Sequence, residues 1–74
     1  MIPWEVRKKE ILKRALEVEE KGKKEWEWLD VQAHPAELVK LVCEGLIRIT
    51  YTRGRRKKYQ LTEKGRKLLS PRGR

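Results

Sequence analysis

A run of cations between two segments of alternating hydrophobicity is the feature that most constrains how this chain folds. Five of the six residues 53–58, here called the cationic run, are Lys or Arg. The flanking segments, residues 47–52 and 57–61, alternate apolar and polar side chains with the period of a half-buried β-strand. Two such segments joined by a short turn predict an antiparallel hairpin. Because closely spaced like charges repel, we expect the cationic run to project into solvent.

The apolar residues of the hairpin restrict its register, since residues that pair directly lie on the same side of a sheet. The apolar positions are Ile47, Ile49 and Tyr51 on the first strand and Tyr59 and Leu61 on the second. Pairing them makes the residue numbers of each pair sum to an even value. An even sum requires a loop with an odd number of residues, unless a β-bulge intervenes. We therefore expect a three-residue tip, residues 53–55, in which Gly54 supplies the unusual backbone angle.

Two helices are expected before the hairpin. Residues 3–21 carry apolar side chains on one broad face at about 100° per residue, and Gly22 follows as a C-terminal cap. Residues 35–44 predict a second helix, in which Pro35 suits the first turn and Gly45 ends the element.

A last short helix is expected after the second strand, with Thr62 as its N-cap residue and with Leu68 and Leu69 facing the core. A chain of 74 residues, 38% of them apolar, supplies one modest core and no second domain. We expect residues 1–70 to form that domain and residues 71–74 to form a basic flexible tail.

Residues 23–32 predict a short strand followed by a single helical turn. Trp26 and Trp28 alternate with Glu25 and Glu27, as the residues of a strand do. A domain this small needs both indole rings in its core. The alternative is that the rings stack on the unpaired bases of a nucleic acid.

Cysteine and histidine are too scarce for several kinds of site. The single Cys43 cannot form an internal disulfide, and with the single His34 it cannot form a zinc site of the usual kind. We expect Cys43 to be a small buried residue and His34 to start the second helix. With one His and no Gly-rich phosphate loop, the chain is not expected to be an enzyme or to bind a cofactor.

Location and habitat can also be predicted from composition. No apolar run approaches the roughly 20 residues of a membrane span, and the first residues lack the apolar stretch of a signal peptide. We therefore expect a cytoplasmic protein. Charged residues make up 42% of the chain and Asn is absent, a bias typical of proteins from heat-adapted organisms.

The surplus positive charge lies in the C-terminal part of the chain. Residues 1–44 hold 9 Lys and Arg against 10 Asp and Glu, whereas residues 45–74 hold 11 against the single acid Glu63. A nearby polyanion would turn the mutual repulsion of these cations into attraction. Arg, which outnumbers Lys over residues 48–56, can pair bidentately with phosphate. The alternative is a solvated turn whose charges only aid solubility.

Two stretches that flank the hairpin resemble the core of winged helix-turn-helix DNA-binding domains. Residues 41–47 have the pattern L-x-x-x-G-L-I at the end of a helix, and residues 59–65 have the pattern Y-x-L-T-x-x-G at the start of another. Many MarR-like, PadR-like and archaeal regulators carry both patterns around a basic wing. The resemblance covers residues 35–69 well and residues 1–34 only in the order of elements. It implies an α+β winged helix-turn-helix with three helices and a two- or three-stranded antiparallel wing sheet.

In such proteins, the helix before the wing commonly enters the major groove, and the wing contacts the DNA backbone or the minor groove. The resemblance implies that residues 35–44 form the recognition helix and residues 48–58 the wing. This chain departs from the pattern in two respects. The segment before the recognition helix is too short for a full second helix. The expected outward residues of the recognition helix carry little positive charge, and they are Ala36, Glu37, Lys40 and Glu44.

Charge and resemblance together predict a protein that binds duplex DNA, in transcription regulation. The residues expected to contact DNA are the cations of the wing and polar residues of the first strand and recognition helix: Arg53, Arg55, Arg56, Lys57, Lys58, Arg48, Thr50, Lys40, His34 and Gln32. Two alternatives stay open. One is a protein-interaction module of the same fold in a replication, repair or transcription assembly, and the other is a binder of single-stranded nucleic acid. A homodimer that pairs through terminal helices also stays open.

Overall fold

Three helices and a two-stranded antiparallel sheet make up the fold, as described for residues 2–69 by a computed structural model. The elements in chain order are α1 (Trp4–Glu20), α2 (Pro35–Cys43), β1 (Ile47–Arg53), β2 (Arg56–Leu61) and α3 (Glu63–Leu69). The predicted α+β class is confirmed, and the layout is compatible with a small winged helix. The expected basic tail lies outside the described residues. Within residues 2–69, no helix combines the length and apolar character that a membrane crossing requires.

The first helix confirms its predicted bounds and its apolar face. Ile11, Leu12 and Ala15 are fully buried and lie within about one turn of each other on the same side of α1. The helix ends where the backbone of Gly22 takes a φ of 106°, a left-handed conformation that glycine adopts without strain. The Gly22 amide donates to the Glu19 carbonyl, which satisfies one of the free carbonyls of the last turn.

Every element contributes to one core, and Glu19 at the end of α1 joins four parts of the chain. The buried apolar residues are Ile11, Leu12, Ala15, Trp26, Val31, Ala33, Leu38, Leu41, Leu46, Ile47, Tyr59 and Leu61. The Glu19 side chain is 7% exposed and accepts hydrogen bonds from the Trp26 indole at 3.0 Å and the Leu61 amide at 2.8 Å. It also pairs with Arg66. Three donors compensate for the desolvation of this carboxylate.

The predicted strand before α2 is wrong except at one residue. Trp26 forms an isolated antiparallel bridge with Tyr59, in which each amide donates to the other carbonyl at 3.0 and 2.8 Å. The chain then turns, and the Asp30 amide donates to the Glu27 carbonyl at 2.9 Å. Because the turn begins there, Trp28 leaves the core side and is 44% exposed. Only one of the two tryptophans is therefore a core residue.

The predicted helical turn after this bridge is a series of hydrogen-bonded turns. The Ala33 amide donates to the Trp28 carbonyl at 3.1 Å, and Gln32 takes a left-handed φ of 52° that ends the segment. The segment was predicted to be too short for a full second helix, and this prediction is confirmed, since no helix lies between α1 and α2.

The second helix begins as predicted, but one of its side chains was placed wrongly. His34 caps α2, since its Nδ1 atom accepts from the Ala36 amide at 3.0 Å. Leu38 and Leu41 are buried, whereas Val39 is 52% exposed. Cys43, expected in the core, is exposed, because it lies one turn beyond Val39 on the solvent side of the helix.

The hairpin confirms the predicted register only at its base. Ile47 pairs with Leu61 and Ile49 pairs with Tyr59, after which the register shifts by one residue. Thr50 is the extra residue of this β-bulge. The outer pairs are Tyr51 with Lys58, Thr52 with Lys57 and Arg53 with Arg56. The predicted three-residue tip is therefore wrong, since the bulge permits the two-residue turn Gly54-Arg55, with Gly54 at a φ of 60°.

The third helix begins with the predicted N-cap and packs closely on the chain that leaves α2. The Thr62 hydroxyl accepts from the Gly65 amide at 3.1 Å and donates to the Gly45 carbonyl at 2.6 Å. Leu69 packs against the core, but Leu68 is 36% exposed, so its predicted inward orientation is wrong. A Cβ atom on Gly65 would lie 2.2 Å from the Leu46 carbonyl oxygen.

Replacing Gly65 with Ala should destabilise the protein by about 1–3 kcal/mol, because the added methyl group meets a backbone oxygen that cannot rotate away. The higher helix propensity of Ala, about 1 kcal/mol, offsets only part of this cost. Urea denaturation measures the change. Lys67→Ala, exposed in the same helix, is the control and should change stability by no more than about 0.5 kcal/mol. Equal stability of Gly65→Ala and the parent protein would contradict the close approach of α3 to Leu46.

Candidate nucleic-acid interface

The bulge at Thr50 decides which side chains share the outward side of the hairpin. β2 is regular, so its outward residues are Arg56, Lys58 and Gln60, opposite in direction to the buried Tyr59 and Leu61. Beyond the bulge, the residues of β1 change sides relative to Ile47 and Ile49. The residues that then share this outer ribbon face are Arg48, Tyr51, Arg53, Arg56, Lys58 and Gln60. The expectation that Tyr51 lies on the apolar side is therefore wrong.

Four residues of the outer ribbon face surround a surface depression of about 360 Å³: Tyr51, Arg53, Arg56 and Lys58. Three of the four are cations. The Lys58 ammonium lies 5.6 Å from the centroid of the Tyr51 ring, within the range of a cation–π contact. The Tyr51 side chain itself is 41% exposed. The depression thus combines concentrated positive charge with one accessible aromatic ring.

One cation of this depression has an acidic partner. Arg56 Nη2 lies 2.7 Å from Glu27 Oε2, and this hydrogen bond raises the pKa of the guanidinium. The cationic run contains no acid, and Glu27 lies far from it in sequence. The bridge between Trp26 and Tyr59 brings Glu27 alongside β2. The Arg56 side chain is still 70% exposed.

The remaining cations of the wing divide between two sides of the hairpin. Arg53 and Arg55 are exposed at the tip, and no ion pair holds either side chain within residues 2–69. Lys57 pairs with Thr52 on the opposite side from the outer ribbon face and is half-buried. The structure therefore brings three of the five predicted wing cations into one depression, with Arg55 adjacent at the turn.

The two predicted site residues on β1 differ in orientation. Arg48 is exposed and its guanidinium donates to the Gln60 side-chain oxygen at 2.6 and 3.1 Å, so it belongs to the outer ribbon face. Thr50 was expected on the same side. Its hydroxyl oxygen is instead buried and makes no hydrogen bond within residues 2–69. The cause is the bulge, which removes Thr50 from the regular alternation.

The predicted site residues around α2 make contacts with the helices and the turn rather than with the hairpin. His34 caps α2. The Lys40 ammonium lies 4.9 Å from the ring centroid of Trp4 in α1. Gln32 is exposed, and its carbonyl oxygen accepts from Arg7 at 3.1 Å. These three residues do not join the four that line the depression.

Glu37 and Glu44, expected to point outward from α2, are held by α1. Arg7 donates to both Glu37 oxygens, at 2.8 and 3.1 Å. Glu44 accepts from the Trp4 indole at 2.7 Å and from Lys8 at 3.0 Å. Ion pairing therefore offsets the negative charge of both carboxylates.

The solvent side of α2 is consequently small and weakly polar. Its exposed residues, spaced by three or four positions, are Ala36, Val39, Lys40 and Cys43. One cation and no carboxylate are among them, so this side offers few groups that could hydrogen-bond to base edges.

Sequence reasoning missed Tyr51 and Glu27 as members of the site. A signal for Tyr51 existed, because a two-residue turn at Gly54-Arg55 is compatible with the apolar pairs only if a bulge intervenes. No local signal identifies Glu27 as the partner of Arg56, since their contact depends on the long-range bridge at Trp26.

A scan of protein-family models, a search of curated proteins and a search of solved structures each find no match to this chain. Among residues 2–69, no group of three or more His, Cys, Asp or Glu side chains could hold a metal ion. The site itself combines guanidinium, ammonium and phenol groups around one depression.

The contacts between α1 and α2 should make stability depend on pH. The Arg7 guanidinium holds the pKa of Glu37 below its ordinary value of 4.5, and the Trp4 indole does the same for Glu44. Their contribution is complete above pH 4.5 and is lost as the pH falls through the lower pKa of the folded state. At pH 7, Glu37→Gln should cost about 1 kcal/mol, and near pH 2 the variant and the parent should converge.

Urea denaturation across this pH range measures the effect. Glu17→Gln, an exposed position of α1, is the matched control and should retain the pH profile of the parent protein. A Glu37→Gln variant with an unchanged profile would contradict a role of the Arg7 contact in stability.

Proposed function

We propose that this chain is a winged-helix domain that binds duplex DNA through its wing. The observation that carries the proposal is the convergence of Arg53, Arg56 and Lys58 on one exposed depression, with Arg55 beside it at the turn. Such a cluster costs repulsion energy in the isolated protein and becomes favourable beside a polyanion. Phosphate is the matching ligand, because guanidinium groups pair with it bidentately.

The mode of binding follows from the difference between the wing and α2. The wing carries the cations, whereas the solvent side of α2 offers Lys40 as its single charged group. We therefore expect affinity to come from phosphate contacts and to depend little on sequence. The carboxylates of α2 are paired with Arg7 and Lys8, which reduces their repulsion of DNA.

The biological setting is part of the same proposal. It places the chain in transcription regulation in the cytoplasm, as a protein that is not an enzyme and binds no cofactor. The residues proposed to contact phosphate are Arg48, Arg53, Arg55, Arg56 and Lys58, and Lys57 would add charge from the opposite side of the hairpin.

A second candidate is a protein-interaction module that uses the solvent side of α2. The exposure of Val39, at 52%, and of the neighbouring Ala36 and Cys43 favours it, since these residues suit an apolar partner better than DNA. The partner could be another protein or a second copy of this chain. Binding of duplex DNA at low ionic strength separates the two candidates.

The double variant Arg53→Gln and Arg55→Gln should bind unrelated duplexes more weakly and by similar factors. Each phosphate contact contributes about 0.9 to the slope of log affinity against log salt, so the slope should fall by about 2. Fluorescence anisotropy with labelled duplexes at several salt concentrations measures both. Lys9→Gln with Lys13→Gln, exposed on α1, removes the same charge and should have little effect. Full affinity of the Arg variant at moderate salt would contradict the proposal, and so would a parent protein that does not bind duplex DNA.

Glu27→Gln should bind duplex DNA a few-fold more tightly, because it frees Arg56 from a competing carboxylate; an exposed ion pair is worth about 0.2–1 kcal/mol. The same anisotropy titration measures the gain. Glu20→Gln, exposed at the end of α1, changes net charge equally and is the control. In a protein that already carries Arg56→Gln, the further change Glu27→Gln should give no gain in affinity. An equal gain in the control would mean that net charge alone is responsible.

A further inference from the structure

We propose that the depression in the outer ribbon face binds one unpaired nucleotide of a DNA strand. Its phosphate would be held by Arg53, Arg56 and Lys58, and its base would stack on the ring of Tyr51. This inference rests on the proposed function and narrows its ligand, from duplex DNA in general to duplexes that carry a single-stranded end.

The size and lining of the depression favour a nucleotide over a phosphate group alone. The depression is open to solvent, and its volume of about 360 Å³ leaves room for more than a phosphate group. Three cations would suffice for phosphate, but the fourth lining residue, Tyr51, is aromatic. A cationic groove with an aromatic platform is the usual composition of single-strand binding sites. Bases inside a duplex are stacked on both faces and cannot use this ring, whereas an unpaired base can.

The bulge at Thr50 places the ring in the depression. In a regular hairpin, Tyr51 would lie on the same side as Ile49. The structure instead has Tyr51 41% exposed among cations, and the Thr50 hydroxyl is buried without a hydrogen bond within residues 2–69. Bulges often redirect a side chain next to a functional site. Packing of the hydrophobic core does not account for this placement, because the Tyr51 ring contacts the Lys58 ammonium at the surface.

The tryptophans do not provide this platform. Trp26 is fully buried, and its ring stacks on Tyr59 with centroids 5.5 Å apart. Its indole nitrogen already donates to Glu19. Trp28 is 44% exposed but does not line the depression. Stacking of a base within the depression therefore belongs to Tyr51.

The experiment compares three labelled duplexes at fixed, low ionic strength by fluorescence anisotropy. The first is blunt, the second carries a short overhang of nucleotides, and the third carries an overhang of abasic units with the same number of phosphates. The parent protein should bind the nucleotide overhang about tenfold more tightly than the abasic overhang, an effect within the range for stacking of one base. Overhangs on 5′ and on 3′ ends are both tested, and a preference at either end supports the inference.

Two substitutions isolate the ring. Tyr51→Phe keeps the ring and should retain the tenfold preference, whereas Tyr51→Leu keeps apolar bulk and should lose it. The affinity that Tyr51→Leu loses should be about tenfold larger for the nucleotide overhang than for the blunt duplex. Thr52→Val, on the opposite side of the hairpin, is the control and should retain the preference. A second readout is the NMR signal of the Tyr51 ring protons in the parent protein, which should shift upfield when a dinucleotide is added.

Each failure has a distinct meaning. No preference of the parent protein for bases over abasic units overturns this inference and leaves duplex binding intact. Equal loss of affinity for blunt and overhang duplexes in Tyr51→Leu also overturns it, because the ring would then act in the fold. If Tyr51→Leu does not fold, the ring-proton shift decides, and its absence overturns the inference. Failure of the parent protein to bind any of the duplexes overturns the proposed function itself.

Discussion

The contact of Trp26 with Tyr59 and Glu19 is the interaction on which the rest of the structure depends. Trp26 bridges β2 through its backbone, stacks on Tyr59 through its ring and donates its indole proton to Glu19 at the end of α1. Glu19 in turn accepts from the Leu61 amide and pairs with Arg66. One indole and one carboxylate thus join α1, the turn segment, the sheet and α3. A chain of 74 residues has a small core, so these contacts add stability that burial of apolar area alone would not supply.

The position of Trp26 against β2 also affects the electrostatics of the wing. Because Trp26 is held against β2, the next residue, Glu27, lies beside Arg56 and neutralises part of its charge. The ion pair of Glu27 with Arg56 thus adds to the bridge that holds the hairpin against the rest of the protein, while the tip cations Arg53 and Arg55 are exposed. A phosphate that binds in the depression must compete with Glu27 for Arg56. The position of one buried tryptophan therefore influences how strongly the wing can attract a polyanion.

A second set of contacts determines what α2 can do. Burial of Leu38 and Leu41 sets the rotation of α2 about its axis, and Trp4, Arg7 and Lys8 of α1 bind Glu37 and Glu44 beside it. This rotation directs Val39 and Cys43 to solvent. A helix in this orientation presents few polar groups, in contrast with the wing. The division between a cationic hairpin and a weakly polar helix is the main functional asymmetry of the molecule, and it underlies both candidate functions.

The sequence by itself determined those features that depend only on residues close together in the chain. The period of α1, the caps at His34 and Thr62, and the alternation that pairs Ile47 with Leu61 are local patterns with local causes. Those patterns predicted the three helices and the base of the hairpin. The arginines of the wing, Arg53, Arg55 and Arg56, were identified correctly as exposed, whereas Lys57 and Lys58 are half-buried. The wing was thus predictable in position and charge.

Only the tertiary structure decided which way the side chains of these elements point and which residues they contact. The bulge that redirects Tyr51, the exposure of Cys43 and the pairing of Glu27 with Arg56 all depend on residues far apart in the chain. A shift of one residue in a strand reverses the side on which every later residue lies, and neither arrangement has a distinct local pattern. Ion pairs between elements depend on helix rotation and loop closure, which are set by packing of the whole core. For that reason the charge of the site could be predicted from the sequence, whereas its shape and its aromatic member could not.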